Sequence, residues 1–289
     1  MQTKETHIVP PQEKAIRIQE YAVNIFTTIP TRSALKKAIK KGLILVNDQT
    51  SSTSILLNGG EKIELLEQDT ATPKKQFTLS LSVAFEDDYL AIIEKPAGIL
   101  VSGNTFKSID NALVQNLAKS NLTDMVRPRP VHRLDYPTTG LLLIGKTSAS
   151  ILALNSLFEQ RKVHKTYHAI TIGSMTQIGR IQSLTDGKEA VSHFKVLQSV
   201  TSNRFEELNL VELSPETGRK HQLRKHMSEL NNPILGDTAY GKEGLILKRK
   251  GLYLHASKLE FTHPFTEEYV VVESKLPKKF IKIFPDFAF

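Results

Sequence analysis

The sequence predicts an α+β protein in which a mixed, mainly antiparallel sheet forms a large C-terminal domain and a small α/β-type domain of helices and short strands precedes it. Three observations predict this. Strand-like segments in the C-terminal two thirds come in consecutive runs, with helical segments interspersed irregularly rather than in strict alternation. A polar stretch with a proline, "EQDTATPKKQFTLS" at 67–80, separates two regions of different pattern. The 289 residues exceed one small module and suit a large domain with a smaller companion.

Residues 1–12 carry "VPPQ" and no periodicity, so a flexible tail is expected there. Residues 13–66 then read as helix, helix and short strands, with "AIRIQEYAV" as the first helical segment. In "PTRSALKKAIKKGLILVND" the apolar Leu35, Ala38 and Ile39 fall at helical spacing, Gly42 is a natural stop, and "LILVN" follows as a strand. Asn58-Gly59-Gly60 makes a turn into "EKIELL". The second helix carries Lys36, Lys37, Lys40 and Lys41, with Arg32 ahead of them, and no acidic residue occurs between Glu20 and Asp48. Solvated helix faces normally mix signs, so this one-signed face points to phosphate contacts.

Residues 67–80 are the predicted linker and 81–289 the second domain. It opens with "VAFEDDYLAIIEKPAGILVSG", two short strands around an acidic turn, then Lys95-Pro96-Ala97-Gly98 as a loop, since proline and glycine break both kinds of element. A helix is predicted in "IDNALVQNLAKS". After "RPRPVHRLDYPTTGLLLIGKT" come a helix, "SASILALNSLFEQRK", and strands in "KTYHAITI", "VSHFKVLQ" and "FEELNLVEL". The turn "SPETGR" leads into a helix, "HQLRKHMSEL", and strands in "LYLHASKLEFTHP" and "YVVVES" follow.

Composition narrows the chemistry. Cysteine is absent, which excludes disulfides, thiolate nucleophiles, zinc–thiolate sites and iron–sulfur clusters. No apolar run approaches the roughly 20 residues of a membrane span, and "MQTKETHIVPPQEK" lacks the apolar stretch of a signal peptide, so a cytoplasmic protein with no membrane partner is expected. The net charge of +8 suits a polyanionic partner.

Four clusters in the second domain carry candidate chemistry. His132-Arg133-Leu134-Asp135 precedes a Pro-Thr-Thr-Gly turn and the apolar "LLLIGKT". Burying an ionised carboxylate there is costly unless it is paired, so Asp135 marks either a structural salt bridge or a site of chemistry. Lys165-Thr166-Tyr167 begins a strand in which alternation puts Tyr167 and Ala169 on one face. "TGRKHQLRKH" runs from a glycine turn into a basic helix with an apolar stripe of Leu223, Met227 and Leu230. The fourth cluster is the loop "EKPAG".

In this order and spacing the clusters resemble the RluA-type pseudouridine synthases, which isomerise uridine to pseudouridine in RNA. The resemblance spans most of 81–265 and rests on "EKPAGILV", "VHRLDYPTTGLLLIGKT", "KTYHAI", "TGRKHQLRKHMSELNNPILGDTAYG" and "LHASKLEFTHP". Over 13–66, "TRSALKKAIKKGLILVND" with "NGGEKIELL" resembles the S-four-like RNA-binding domain, an arrangement found in the same family. The resemblance implies a catalytic role for Asp135, a stacking platform and base in Tyr167, and in Arg224 the arginine paired with the aspartate. It further implies RNA contacts by Arg133 and, with the basic helix, by Arg32, Lys36, Lys37, Lys40 and Lys41. Structured RNA is the implied partner, ribosomal RNA favoured and transfer RNA open, with a monomeric enzyme, no cofactor and no metal. Tyr136-Pro137 stand where the family usually has a charged pair, and Lys220 replaces a common threonine; both bear on substrate choice.

The chemistry fits. Isomerisation breaks the bond from uracil nitrogen to the sugar and rejoins the base through carbon, so no group is gained or lost. Glycosidases usually position two carboxylates and a water, whereas one carboxylate here suits a route from which water is excluded. Asp135 has three routes open to it: attack on the sugar, help in removing the neighbouring carbon's proton, or addition to the uracil ring. All need an ionised carboxylate in an apolar pocket, a need that Arg224 meets. The strand "LLLIGKT" is expected to give that pocket its floor. Flipping the target base costs a few kcal/mol, and Arg133, Arg127 and Arg129 are candidates to offset it, Arg127 and Arg129 reading equally well as solvated basic residues.

Two rival readings make different demands. A metal-dependent hydrolase would draw on His132, His221, His226, His255 and His263, but His221 and His226 are five apart and so about 140° apart on a helix, not on one ligand face. A non-catalytic RNA-binding relative would be expected to lose the aspartate, tyrosine or arginine, and all three are present.

Overall fold

A computed structural model of the chain describes residues 3–67, 77–247 and 249–287. The chain divides into two compact units, one of residues 1–76 with 122–126 and one of 77–121 with 127–289.

In the first unit the elements are β1 (Thr3–Ile8), β2 (Ile16–Arg17), α1 (Ile18–Tyr21), α2 (Arg32–Lys40), β3 (Ile44–Val46), β4 (Gln49–Thr50), β5 (Leu56–Leu57) and β6 (Lys62–Leu66). A four-stranded sheet of order β1-β6-β3-β4 packs with α2 around Ile18, Phe26, Leu35, Ile39, Ile44 and Ile63, and β2 pairs with β5. Helix α2 forms as its periodicity requires. Thr31 caps its start by accepting from the Ala34 N–H at 3.2 Å. At its end Gly42, at φ +69°, lets its own N–H reach the Ile39 carbonyl and that of Leu43 reach Ala38. Two expectations are corrected. The flexible tail expected over 1–12 contains β1, which pairs antiparallel with β6 from Thr3 to Ile8. Its polar, non-periodic sequence suits an edge strand that is mostly exposed, so burial leaves little trace in it. The first helix shrinks to the four residues of α1, because Ile16 and Arg17 are drawn into pairing with β5. Of the predicted linker, residues 68–76 lie outside the described residues.

The second unit carries β7 (Val83–Glu86), β8 (Leu90–Lys95), α3 (Ile109–Ala112), β9 (Met125–Pro130), β10 (Thr139–Thr147), α4 (Ser148–Glu159), β11 (His164–Ile172), β12 (Ile178–Thr185), β13 (Lys188–Ser202), β14 (Glu206–Pro215), α5 (Gln222–Glu229), β15 (Leu254–Thr262), β16 (Tyr269–Glu273) and α6 (Lys278–Ile281). Its ten-stranded sheet runs β12-β13-β14-β11-β15-β10-β8-β7, with β16 on β15 and β9 on β10. β10 and β15 run parallel, whereas β7/β8, β8/β10, β11/β15, β11/β14, β13/β14, β12/β13 and β15/β16 are antiparallel. The expected mixed, mainly antiparallel α+β sheet is therefore the fold.

β10 explains its own unbroken apolar run. Leu141 and Leu143 face one core with Leu154, Phe261 and Val270, while Leu142 and Ile144 face another with Ile93, Ile109 and Ala256. A strand covered on both sides needs apolar residues at every position. Where β10 meets β15, Gly140 sits at φ +109°, and a Cβ there would lie 2.1 Å from the Ala256 carbonyl oxygen. Only glycine allows that approach. The helix predicted over 109–120 is reduced to α3 and a 3₁₀ turn at Leu113–Gln115.

Candidate active site

Asp135 lies between the buried Leu134 and a turn closed by the Thr138 N–H, which donates to the Asp135 carbonyl at 3.1 Å. The "EKPAG" loop fastens this turn. The buried Lys95 ammonium donates to the carbonyls of Pro96 at 2.9 Å, Thr138 at 2.8 Å and Tyr136 at 3.3 Å, and the Gly98 N–H also donates to Tyr136 at 2.8 Å. Burial lowers the Lys95 pKa to about 8, with the Asp135 charge acting in the opposite direction.

Helix α5 delivers Arg224. Its guanidinium reaches Asp135 Oδ2 at 3.4 Å, but its tighter partner is Asp237, with Nε and one terminal nitrogen each 2.7 Å from a carboxylate oxygen. Asp237 also accepts from the Ala239 and Tyr240 N–H groups at 2.9 and 3.1 Å, and the Tyr240 ring lies 5.0 Å from the guanidinium carbon. Burial raises the Asp237 pKa, but the Arg224 hydrogen bonds and the backbone donors outweigh it, and the net direction is down. For Arg224, burial is likewise overcome by Asp237, and its pKa is raised. The fork is therefore fixed by Asp237 and offers its remaining edge to Asp135.

His221, at φ +57° just ahead of α5, places Nε2 3.8 Å from Asp135 Oδ1 while its Nδ1 is 2.9 Å from the Tyr240 hydroxyl. Burial lowers its pKa, against the Asp135 charge and with help from Arg224 and Lys220. Tyr167, on β11 opposite Ala256 and Leu213, has its pKa raised by burial and then by the Asp135 charge. It holds its proton at neutral pH, so it can accept one only while giving up its own.

Asp135, Tyr167, His221 and Arg224 share a cavity of about 470 Å³ with Val131, Leu134, Leu223 and Leu254. Its wall comes from 131–135, the end of α4, β11, Leu254 and above all 215–224, not from "LLLIGKT", whose side chains fill the cores instead. That strand carries the site without lining it, which corrects the expected floor. Arg133 is exposed on the rim. Arg127 donates to the Asp110 carbonyl and to Asn111 Oδ1, both at 2.9 Å, and Arg129 is exposed.

Of the other histidines only His132 lines the cavity. His132 Nε2 accepts from the Leu143 N–H at 2.9 Å, and burial takes its pKa down to about 3. His255 lies between the Thr139 and Ser274 hydroxyls, His226 is 3.0 Å from the Ser192 hydroxyl, and His263 accepts from the Phe265 and Thr266 N–H groups. In the first unit Lys36, Lys37 and Lys40 are exposed on α2 and Lys41 just past its end, and Arg32 is paired with Glu20 at 2.9 Å. Sequence reasoning missed Asp237 and Tyr240 as parts of the site, and it singled out the loop of Lys95 without assigning that lysine a role. The Gly-Asp-Thr-Ala-Tyr turn was on view, but nothing local says which arginine its aspartate holds.

Residues 89–229 match the family model described as RNA pseudouridylate synthase. The chain is 33% identical to the ribosomal large subunit pseudouridine synthase C of Rickettsia bellii (strain RML369-C), over 93% of this chain and 97% of the relative. It is 30% identical to the ribosomal large subunit pseudouridine synthase D of Xanthomonas campestris pv. campestris, over 94% of this chain and 88% of the relative. Among solved structures, human RNA pseudouridylate synthase domain containing 4 aligns with a TM-score of 0.56 at 29% identity, covering 69% of this chain and 90% of the human one.

Proposed function

The chain belongs to the RluA-type RNA pseudouridine synthase family, enzymes that are isomerases, and from that premise we propose that its substrate is large-subunit ribosomal RNA and that Asp135 carries the reaction. The observation behind the proposed chemistry is one cavity in which the Asp135 carboxylate meets a fixed arginine beside a half-buried tyrosine. A target uridine flipped into it stacks on Tyr167 with its sugar toward Asp135. Whether the carboxylate attacks the sugar, assists loss of the neighbouring carbon's proton or adds to the ring, it acts through its oxygens, and Arg224 fixes their position from 3.4 Å. The N1–C1′ bond breaks, the uracil turns, and C5 bonds to C1′. The proton leaving C5 is replaced by one gained at N1, so the balance closes without a cofactor. Tyr167 serves as the stacking platform and as a hydroxyl that relays a proton rather than as a resident base. Arg133 reads the strand at the rim, and the α2 face with Arg32, Lys36, Lys37, Lys40 and Lys41 belongs to an S-four-like domain over 13–66 that adds phosphate contacts.

Ribosomal RNA is preferred over transfer RNA because the relatives named for that substrate match nearly end to end. We propose further that the enzyme acts as a monomer in the cytoplasm. Mapping pseudouridine in total RNA from cells with and without the gene tests this. Large-subunit sites should disappear with the gene and return with the wild-type copy but not with Asp135→Asn; sites lost only from transfer RNA would overturn the substrate.

A further inference from the structure

Lys165 lines the same cavity as Asp135 and stands apart from the other cations there. Arg224 is committed to Asp237 and Asp135, and Arg219 donates to the Glu189 carbonyl at 3.1 Å. Arg133, Arg161 and Lys220 are exposed, so water satisfies them. Lys165 is partly buried at the start of β11, two residues before Tyr167 and by strand alternation on the same face. Its Nζ lies 5.9 Å from the centre of the Phe158 ring, and among the described residues no carboxylate or carbonyl holds it. The neighbouring His132 offers no acceptor in compensation, because its Nε2 is occupied by the Leu143 N–H. Burial lowers the Lys165 pKa with no acidic group acting against it. An ammonium sheltered from water and left without a counter-charge is unfavourable in the free protein, and an anion brought by the substrate relieves it.

We propose that Lys165 is a substrate-positioning residue whose ammonium takes a phosphodiester oxygen of the RNA strand next to the flipped uridine, fixing the nucleotide as its base stacks on Tyr167. This deepens the assignment of the cavity as the uridine site and rests on it. A phosphodiester is favoured over an oxygen of the uracil ring because its charge is present in every substrate before reaction. Lys165 also lies outside the charges that act on Asp135's neighbours: the Asp135 charge shifts Lys95, Tyr167 and His221 but not Lys165.

The test compares wild type, Lys165→Met and Lys165→Arg under single turnover on total RNA from cells lacking the gene, with enzyme concentration and salt varied. Lys165→Met should need about ten- to a hundredfold more enzyme for half-maximal rate. The slope of log affinity against log salt should shrink by about 0.7 to 0.9, one phosphate contact. The saturated rate should stay near wild type and Lys165→Arg should recover most of the affinity. The melting temperature of Lys165→Met should hold or rise, since an unpaired sheltered charge has been removed. Unchanged affinity and slope, or an arginine variant as weak as the methionine one, would overturn the proposal. So would a loss confined to the saturated rate, which assigns the ammonium to the base. If the wild type itself makes no pseudouridine in this RNA, the reading of the cavity fails instead, and the two failures are told apart.

Discussion

Asparagine at 135 preserves the shape of the side chain and its hydrogen bond to Arg224 but removes the charge that each route needs. Asp135→Asn should lower the rate by at least about four orders of magnitude with RNA affinity and melting temperature near wild type. A variant within tenfold of wild type would make Asp135 a salt-bridge residue only. Tyr167→Phe keeps the ring but loses a hydroxyl that burial holds in its protonated form. RNA affinity should survive and the rate should fall by about 10² to 10⁴, the usual share of a proton-transferring side chain; an unchanged rate would leave Tyr167 as platform alone. Asp237→Asn tests the fork. It leaves a buried guanidinium half-paired, so a loss of about 3 to 5 kcal/mol is expected. The acid dependence follows from the direction of the shift. The folded-state pKa of Asp237 lies below its ordinary 3.8, so its contribution is complete above that value and disappears as pH falls through the folded pKa. Denaturation followed from pH 5 downward should therefore be less steep in Asp237→Asn than in wild type. Asp135, Tyr167 and Arg224 were legible because each sits in its own contiguous motif. Asp237 was not, since its partner is thirteen residues away across a turn whose geometry the sequence does not display.

The turn bearing Asp135 hangs on one side chain from another strand end. Lys95→Met removes the donor from three carbonyls, two of them in that turn, and should lower the rate about a hundredfold through misplacement of the carboxylate while RNA affinity holds. Stability gives a second readout. Because folding lowers the Lys95 pKa from 10.5 to about 8, the unfolded chain binds its proton more tightly across that interval, and this residue's contribution to stability grows as pH rises through it. That slope should be missing from Lys95→Met in thermal melts between those pH values. Most strands were legible from alternation or from apolar runs. β12 was not, although it had a marker: Asp186-Gly187, both at positive φ, is the two-residue turn that joins it to β13. Its strand neighbours only β13 and shows alternating exposure, too faint for periodicity alone. β9 was hidden by its prolines, which an edge strand tolerates.

At the scale of the molecule, the proposed reading gives the first unit the charge and the second the chemistry. Replacing Lys36, Lys37, Lys40 and Lys41 by glutamine should shrink the salt slope of RNA binding by about 3 to 4 if all four meet phosphates, with the saturated single-turnover rate unchanged. An unaltered slope would return that face to plain solvation. The polar segment at 67–80 falls where the two units divide, between 76 and 77, whereas β1 left no sign in the sequence, because an exposed edge strand needs no apolar code. The sheet of the second unit has a consequence for how the enzyme comes into being. β10, which follows directly on Asp135, is paired with β15, and the Thr139 hydroxyl meets His255 across 116 residues of chain. Chains emerge from the ribosome N-terminus first, so Asp135 is synthesised long before the strand that steadies its neighbourhood. A nascent chain ending before Leu254 holds the aspartate, the tyrosine and the arginine yet lacks that strand. Activity should therefore switch on only when translation is nearly finished, sparing RNA close to the nascent chain from a half-built enzyme.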